Sequence, residues 1–588
     1  MKNSQRRFPL RANAMMLAGI AGMSLLPIHQ ASHAADLPMV PMTSSGSLLR
    51  QNLPLFSPVP ASQSAADSNA GADLQTATVQ TLQSAEPRVR VLRFVQSEAL
   101  PEPAATNVRA MFAQVEGREL RFSQVARVRN ALNTILRREA GVLTYATLPS
   151  QEVNDGTVRF EIHHGRIAKV ALDNTSLVST PVLTQTIWTP VSAAAPDLAE
   201  IEQAVRRMEA LPGVAHVQPM LSPGQEIGTT DVVLQVTPAP RVHGVVLADN
   251  SGSATSGRNR VGAQLAINSP LGIGDQLQGV VFYAPPKGQS SSSEGGNTVI
   301  GQASYELPLG YGGVRGGASF TRVQYRQGGA DQDVFDGNGS ADVVSVYINK
   351  PLLDHADAHL TIGAMLDHKR LRDGFVGIDS KRNSVVGGIK LFGDQAGTLA
   401  GRSNALQFDA AIQIGSLQQK ELGIFDFGGS STAGRFSKFN GNVQYAQSIG
   451  AGFSATLKSS LQLASRHLDG SEQMSLSGTQ GVRGYGPDLT GVDRGALLQA
   501  SLNHAIEAVS GLTASVFYDY GRGQVNKQQS FDGAANTFTA QSPGIGLNYQ
   551  YQQKAALSLN QAWPVGAPPQ GQPASTRGQT WLSGMLAF

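Results

Sequence analysis

Residues 512–521 read Leu512-Thr513-Ala514-Ser515-Val516-Phe517-Tyr518-Asp519-Tyr520-Gly521. In a β-strand successive side chains point to opposite faces. Leu512, Ala514, Val516 and Tyr518 therefore share one face, and Thr513, Ser515, Phe517, Asp519 and Gly521 the other. The first face is apolar. The second is small or polar apart from Phe517, and it holds a carboxylate. Lipid outside and water inside a closed sheet require this division of faces. The same alternation recurs along the chain. Val261, Ala263, Leu265 and Ile267 oppose Gly262, Gln264, Ala266 and Asn268. Val344, Val346 and Ile348 oppose Ser345, Tyr347 and Asn349, and Ala555, Leu557 and Leu559 oppose Lys554, Ser558 and Asn560. The chain ends with Leu582, Gly584, Leu586 and Phe588 on one face.

About sixteen such segments fit between residues 241 and 588, and their connections alternate in length. Short ones fall at 269–274, 307–312, 449–452 and 509–511. Long ones fall at 287–296, 327–339, 418–435, 468–490 and 522–541. Outer-membrane barrels have short periplasmic turns and long external loops. The expectation is a 16-stranded antiparallel transmembrane β-barrel, with everything before it on the short-turn side. A soluble β-sandwich also alternates, but neither this strand number nor this loop asymmetry suits one.

Composition agrees. Charged residues are 15% of the 588-residue chain, and Gly is 64 of 588, about 11% against a usual 7% or so. A hydrophobic content of 41% is too high for a disordered chain, and a net charge of +3 gives no bulk electrostatic case for nucleic-acid binding. The absence of Cys excludes disulfides, thiolate metal sites and Cys nucleophiles.

The N-terminus reads as a secretory signal peptide, 1–34. Lys2, Arg6, Arg7 and Arg11 make a basic start, Ala14 to Leu26 is apolar, and Ala31-Ser32-His33-Ala34 offers small residues for cleavage. Thirteen residues of helix span about 20 Å, too short for a hydrocarbon core of about 30 Å. No later run of 18 apolar residues occurs, so the chain enters a membrane only as a barrel. Residues 35–87 are rich in Pro and Ser with little charge and read as a mostly disordered linker. Leu48, Leu49 and Leu53 allow at most one short amphipathic turn there.

Two α+β modules follow. In 88–165 a strand over 88–95 precedes a helix starting at an N-cap Ser123, with Val125, Val128, Leu132, Ile135 and Leu136 on one stripe. Arg127, Arg137 and Arg138 on its other face either form a solvated surface or attract an acidic partner. Strands over 142–148 and 157–163 close the module around an Asn154-Asp155-Gly156 turn. In 166–240 a strand over 167–172, a helix from Asp197 ended by Pro212-Gly213, and strands over 215–221 and 231–237 repeat that plan.

Catalytic and metal motifs fail. His163 and His164 are strand neighbours pointing to opposite faces, and His355 and His359 fall in a turn with no third ligand set. The chain contains no His-Glu-x-x-His, phosphate-binding loop or Gly-x-Ser-x-Gly elbow.

Together these features resemble the two-partner secretion transporters, the haemolysin secretion/activation branch of the superfamily of outer-membrane assembly factors that carry polypeptide-transport-associated (POTRA) domains. Leu148-Pro149-Ser150-Gln151, Asn154-Asp155-Gly156 and Gly165-Arg166-Ile167 resemble the end of the family's first POTRA domain. Leu211-Pro212-Gly213-Val214 and Leu221-Ser222-Pro223-Gly224 resemble its second. Asp249-Asn250-Ser251-Gly252 and Asn268-Ser269-Pro270-Leu271-Gly272 resemble its first barrel hairpin. Val482, Arg483, Gly484 and Tyr485 resemble the signature of the sixth external loop. Phe517, Asp519 and Gly521 resemble its partner motif on the wall.

The resemblance implies that loop 468–490 folds into the barrel, that Arg483 pairs with Asp519 while Phe517 adds cation–π contact, and that Gly484 lets the loop turn tightly. It makes Phe588 the C-terminal barrel signal for the barrel-assembly machinery. It further implies an outer-membrane protein in a Gram-negative cell, with its POTRA domains in the periplasm and lipid around its barrel. Its partner is then a large secreted exoprotein (TpsA-type) with an N-terminal secretion domain. No cofactor, metal or enzymatic activity is implied. An insertase of the same superfamily is the alternative. The family often plugs its pore with an N-terminal helix, for which 35–87 offers length but no convincing helix.

Overall fold

The computed structural model describes residues 44–52, 88–97, 99–139, 144–151, 153, 156–189, 198–226, 229–286, 295–328, 337–421, 431–489, 491–528, 536–552, 554–566 and 578–588. The expected signal peptide lies outside these residues, as do most of the linker and Asn154-Asp155 of the expected turn. No helix among the described residues is long and apolar enough to cross a membrane.

From Val242–Asp249 to Gln579–Ala587, sixteen strands pair antiparallel with their chain neighbours, and the last pairs with the first to close a barrel. The seam sets Ser583–Ala587 against Val245–Asp249 and is extended by reciprocal backbone bonds of 2.9 Å between Gly244 and Phe588. Periodicity and burial agree along the wall. In strand Leu512–Gln524, Val516 and Tyr518 are 55% and 45% exposed, whereas Phe517 and Asp519 are 5% and 0%. The exposed face is the one that lipid covers.

Two features depart from the expected connections. The fourth external connection is only Val376-Gly377, both at positive φ, between strands Ala358–Phe375 and Ile378–Leu399. Strands of 18 and 22 residues exceed the roughly 9–11 needed to span, so this hairpin reaches beyond the bilayer as sheet where its neighbours form loops. The expected loops at 418–435 and 522–541 are shortened from both ends, because strands Arg402–Glu421 and Leu512–Gln524 continue into them and Gly434–Gly450 and Thr537–Tyr551 begin earlier.

The two α+β modules before the barrel each carry a three-stranded sheet. In the first, Arg93–Gln96 runs parallel to Thr157–His164, which pairs antiparallel with Thr144–Thr147. The helix over Phe122–Glu139 buries Val125, Val128, Leu132 and Leu136. It begins one residue before Ser123, which therefore sits in the first turn and is not the N-cap. A further helix, Ala104–Ala113, carries Phe112 into a stack with Phe94 and Phe160. In the second domain Arg166–Asn174 is parallel to Thr229–Pro238, which pairs with Val214–Pro223. Two helices, Thr180–Ile187 and Leu198–Glu209, cover this sheet.

The second domain is fastened to the barrel's first turn. Ser179 N–H donates to the Gly272 carbonyl at 2.8 Å. A Cβ on Gly213 would lie 2.9 Å from Ser269 Cβ, so the Gly213 backbone packs directly against the Ser269 side chain. The sequence patterns at 211–214 and 268–272 are thus two sides of one junction.

Inside the linker, residues Ser45–Asn52 form a helix, contrary to the expectation of mostly disordered chain without a convincing helix. Leu48 and Leu49 are 3% and 0% exposed, packed against Val280, Phe282, Ile300, Val323 and Leu371 on the lumen wall. Eight residues are too few for a helix to persist alone in water. Burial of two leucines inside the barrel supplies what the local sequence lacks.

Candidate functional site

The sixth external loop, 465–493, folds inward and is held at both sides of the lumen. On one side Arg483 meets strand Leu512–Gln524. Alternation turns Asp519 inward, and its carboxylate receives a fork from Arg483: Nε to Oδ2 at 2.9 Å and Nη2 to Oδ1 at 2.7 Å. The Arg483 backbone N–H adds a third bond to Oδ2 at 3.0 Å. The guanidinium carbon lies 3.3 Å from the Phe517 ring centroid, stacked on its face. Two planar donors and one ring fix the guanidinium's position and orientation, which a lysine ammonium cannot reproduce.

The neighbouring residues complete the dock. Gly484 N–H donates to Ser542 Oγ at 3.0 Å, and Trp581 Nε1 donates to the Arg483 carbonyl at 2.7 Å. Gly484 sits, as expected, in a tight turn, closed by Tyr485 N–H to the Val482 carbonyl at 3.2 Å, and it is required for proximity as well: a Cβ there would lie 2.6 Å from Ser542 Cβ and 2.9 Å from Pro564 N. Gly521 does the same on the wall, where a Cβ would come within 3.0 Å of Val482 Cγ2. Val482 and Tyr485 join Leu476, Leu489 and Val492 in an apolar cluster against Leu497 and Ala540 of the wall. Ser542 and Trp581 carried no signal in sequence, because a lone Ser or Trp on a barrel strand is indistinguishable from other lumen residues. Phe588 lies far along the chain at the seam, 70% exposed, and takes no part in this dock.

On the other side the loop is held by ion pairs. Glu472, 2% exposed, accepts from Lys369 at 2.6 Å and Lys438 at 2.8 Å. Arg382 bridges Asp469 of the loop and Asp373 of the wall. Asp373 also accepts from Tyr325 Oη at 2.8 Å and from the N-terminus of helix Ser45–Asn52, through Ser45 N at 2.7 Å and Ser45 Oγ at 2.9 Å. A carboxylate at a helix N-terminus satisfies an otherwise orphaned N–H and complements the helix dipole. From the helix's far end Gln51 Nε2 donates to the Pro487 carbonyl of the loop at 2.7 Å. Wall, helix and loop thus form one polar network across the lumen. His359, one of the rejected metal candidates, lies 3.6 Å from Asp354 and 3.1 Å from Asp394 in the wall.

A closed barrel with two POTRA domains at its mouth, an inward loop clamped by Arg483 and Asp519, and a short helix in the lumen define the class: a polypeptide-handling transporter of the outer membrane. Comparison with known proteins narrows it. Residues 228–548 match the model of the haemolysin secretion/activation protein ShlB/FhaC/HecB family. The heme/hemopexin transporter protein HuxB of Haemophilus influenzae is 26% identical over 487 residues, covering 80% of this chain and 82% of that protein. The outer membrane transporter CdiB of Dickeya dadantii is 23% identical over 496 residues, covering 82% and 84%. The solved structure of CdiB from Escherichia coli shares the fold with a TM-score of 0.60, at 19% identity, over 87% of this chain and 93% of that one.

The chain belongs to the haemolysin secretion/activation family and is an outer-membrane transporter of two-partner secretion, with its POTRA domains in the periplasm. Members of this family are transporters, and the match favours secretion over the insertase alternative.

Proposed function

We propose that the protein receives one large, unfolded exoprotein at its POTRA domains and passes it outward through the barrel as helix Ser45–Asn52 leaves and the sixth loop rearranges. The observation that carries this reading is how the lumen is closed. Leu48 and Leu49, with the bonds at Asp373 and Pro487, hold the helix, and none of these is part of the wall's own hydrogen-bond ladder. The closure is therefore removable without unfolding the barrel. Val214–Pro223 lies at the edge of its three-stranded sheet, where an extended client can add as a further strand. In the periplasm, which supplies no ATP, folding of the client at the cell surface would prevent its return.

Arg483, Asp519 and Phe517 act in this reading as the clamp that sets the loop's position. Val482, Gly484, Tyr485 and Gly521 act as its seating. Phe588 serves as the signal by which the barrel-assembly machinery inserts the chain into outer-membrane lipid. The client is TpsA-type, with an N-terminal secretion domain. Deletion of the gene tests the reading. Loss of one large protein from the culture medium is expected. Simultaneous loss of many outer-membrane proteins would instead make the protein an insertase.

A further inference from the structure

Helix Leu198–Glu209 of the second POTRA domain presents two consecutive guanidiniums to the mouth of the barrel, and the Nε of each is buried without a hydrogen-bond acceptor. Arg206 Nε lies 3.9 Å from Asp354. Arg207 is only 9% exposed, and its Nε and Nη2 are buried with no hydrogen-bond acceptor. A cavity of about 310 Å³ opens beside it, lined by Arg207 and Leu211 from the domain and by Tyr311, Pro351, Asp354 and Phe392 from the barrel. The barrel residues are on the inner side. In their strands Val344, Val346, Ile348, Ile389 and Leu391 are the exposed, lipid-facing set, and Asn349 and Phe392 alternate with these. The cavity therefore lies on the inner side of the wall, where the second domain meets the barrel.

Neither of its own carboxylates hydrogen-bonds Arg207. Glu306 accepts from Arg315 and from Tyr347 Oη, the latter at 3.0 Å. Asp354 makes only looser ion pairs, with Arg206 at 3.9 Å and His359 at 3.6 Å, and hydrogen-bonds to neither. A buried guanidinium without an acceptor is costly. Burial lowers the Arg207 pKa from its ordinary value; the field of Asp354 opposes this and that of Arg206 adds to it. The rest of the lining is largely apolar, and a volume near the lower limit for ligand pockets suits one or two side chains.

The geometry points to Arg207 as the receptor for an acidic side chain of the client, an aspartate or glutamate within an extended and otherwise apolar segment, at the step between the POTRA domains and the lumen. This inference rests on the export reading above. The carboxylate completes the Arg207 fork, while its apolar neighbours in the client cover Leu211, Pro351 and Phe392. A single charge-assisted contact, without a larger interface around it, gives a hold that can be released at each step of passage.

The test uses the purified full-length protein and two fluorescein-labelled hexapeptides of alternating Val, Leu and Glu, or Val, Leu and Gln, read by fluorescence anisotropy. The Glu peptide is expected to bind at least about tenfold more tightly than the Gln peptide. Arg207→Met is expected to abolish that preference. Val182→Glu, which places a carboxylate of the protein's own in the same cavity, is expected to abolish it too and serves if the first variant fails to fold. Equal binding of the two peptides to the wild type, or a preference that survives in a folded variant, overturns the inference. In cells, a photo-crosslinking residue at Tyr311 is expected to capture the exported protein in the wild type and to lose it with Arg207→Met. Equal capture with undiminished export overturns this site while leaving the export reading intact. That reading fails separately if gene deletion removes no exported protein.

Discussion

Arg483 is held by a planar fork, a backbone bond and a ring, all from one strand. Asp519 is fully buried, so removing its partner leaves an uncompensated charge, at a cost of about 3–5 kcal/mol. Arg483→Ala is expected to leave the barrel inserted and heat-modifiable on gels, to expose the sixth loop to protease, and to reduce export to a small fraction of the wild type. Normal insertion with full-rate export would remove the clamp from the account. Gly484→Ala tests the close approach separately. A methyl group 2.6 Å from Ser542 Cβ must push the loop away, at about 1–3 kcal/mol for overpacking. Protease sensitivity near 482–485 is expected to rise without loss of the barrel. At this scale the sequence was informative where strand parity acted. Parity alone put Asp519 and Phe517 in the lumen, and the resemblance brought Arg483 to them. It could not supply Ser542 or Trp581, whose partners are set by where a loop from elsewhere in the chain comes to rest.

Among the elements, the helix at Ser45–Asn52 teaches the most. Its sequence, Ser-Gly-Ser-Leu-Leu-Arg-Gln-Asn, has two adjacent leucines and no helical period to detect. Its stability is tertiary, so a reading of local pattern found a disordered linker. Helices Ala104–Ala113 and Thr180–Ile187 were missed for a related reason, being short and only partly amphipathic, whereas Phe122–Glu139 and Leu198–Glu209 carry long apolar stripes that were read correctly. The helix in the lumen makes a direct prediction. Leu49→Asp places a charge in an apolar site that is 0% exposed and is expected to release the helix. Single-channel conductance in planar bilayers should rise well above that of the wild type, and unchanged conductance would show that the helix does not close the pore.

For the whole molecule, the strongest signal was the division of each strand into a lipid face and a water face, and the topology followed from it almost completely. The connection at Val376-Gly377 escaped because the rule of long external loops assumes strands that stop at the membrane. This hairpin continues as sheet into the space its loop would occupy. The division of faces is testable at adjacent residues. Ile412 is 63% exposed on the outer face and Gln413 is on the inner one. Ile412→Arg is expected to cost about 2–4 kcal/mol if it lies near the bilayer midplane and to deplete the heat-modifiable barrel from membranes, whereas Gln413→Arg should be close to neutral. The reverse order would turn the barrel inside out.

Export through the lumen requires that the helix and the sixth loop separate. An ideal Cβ on Gly470 of the loop would lie 3.4 Å from Ser44 Oγ at the start of the helix, close to disulfide geometry. The chain has no cysteine of its own, so Ser44→Cys with Gly470→Cys introduces the only thiols. With the disulfide formed, the account predicts that the client stays in the cell and conductance stays low, and that a reductant restores export. Undiminished export by the oxidised, fully cross-linked protein would contradict it.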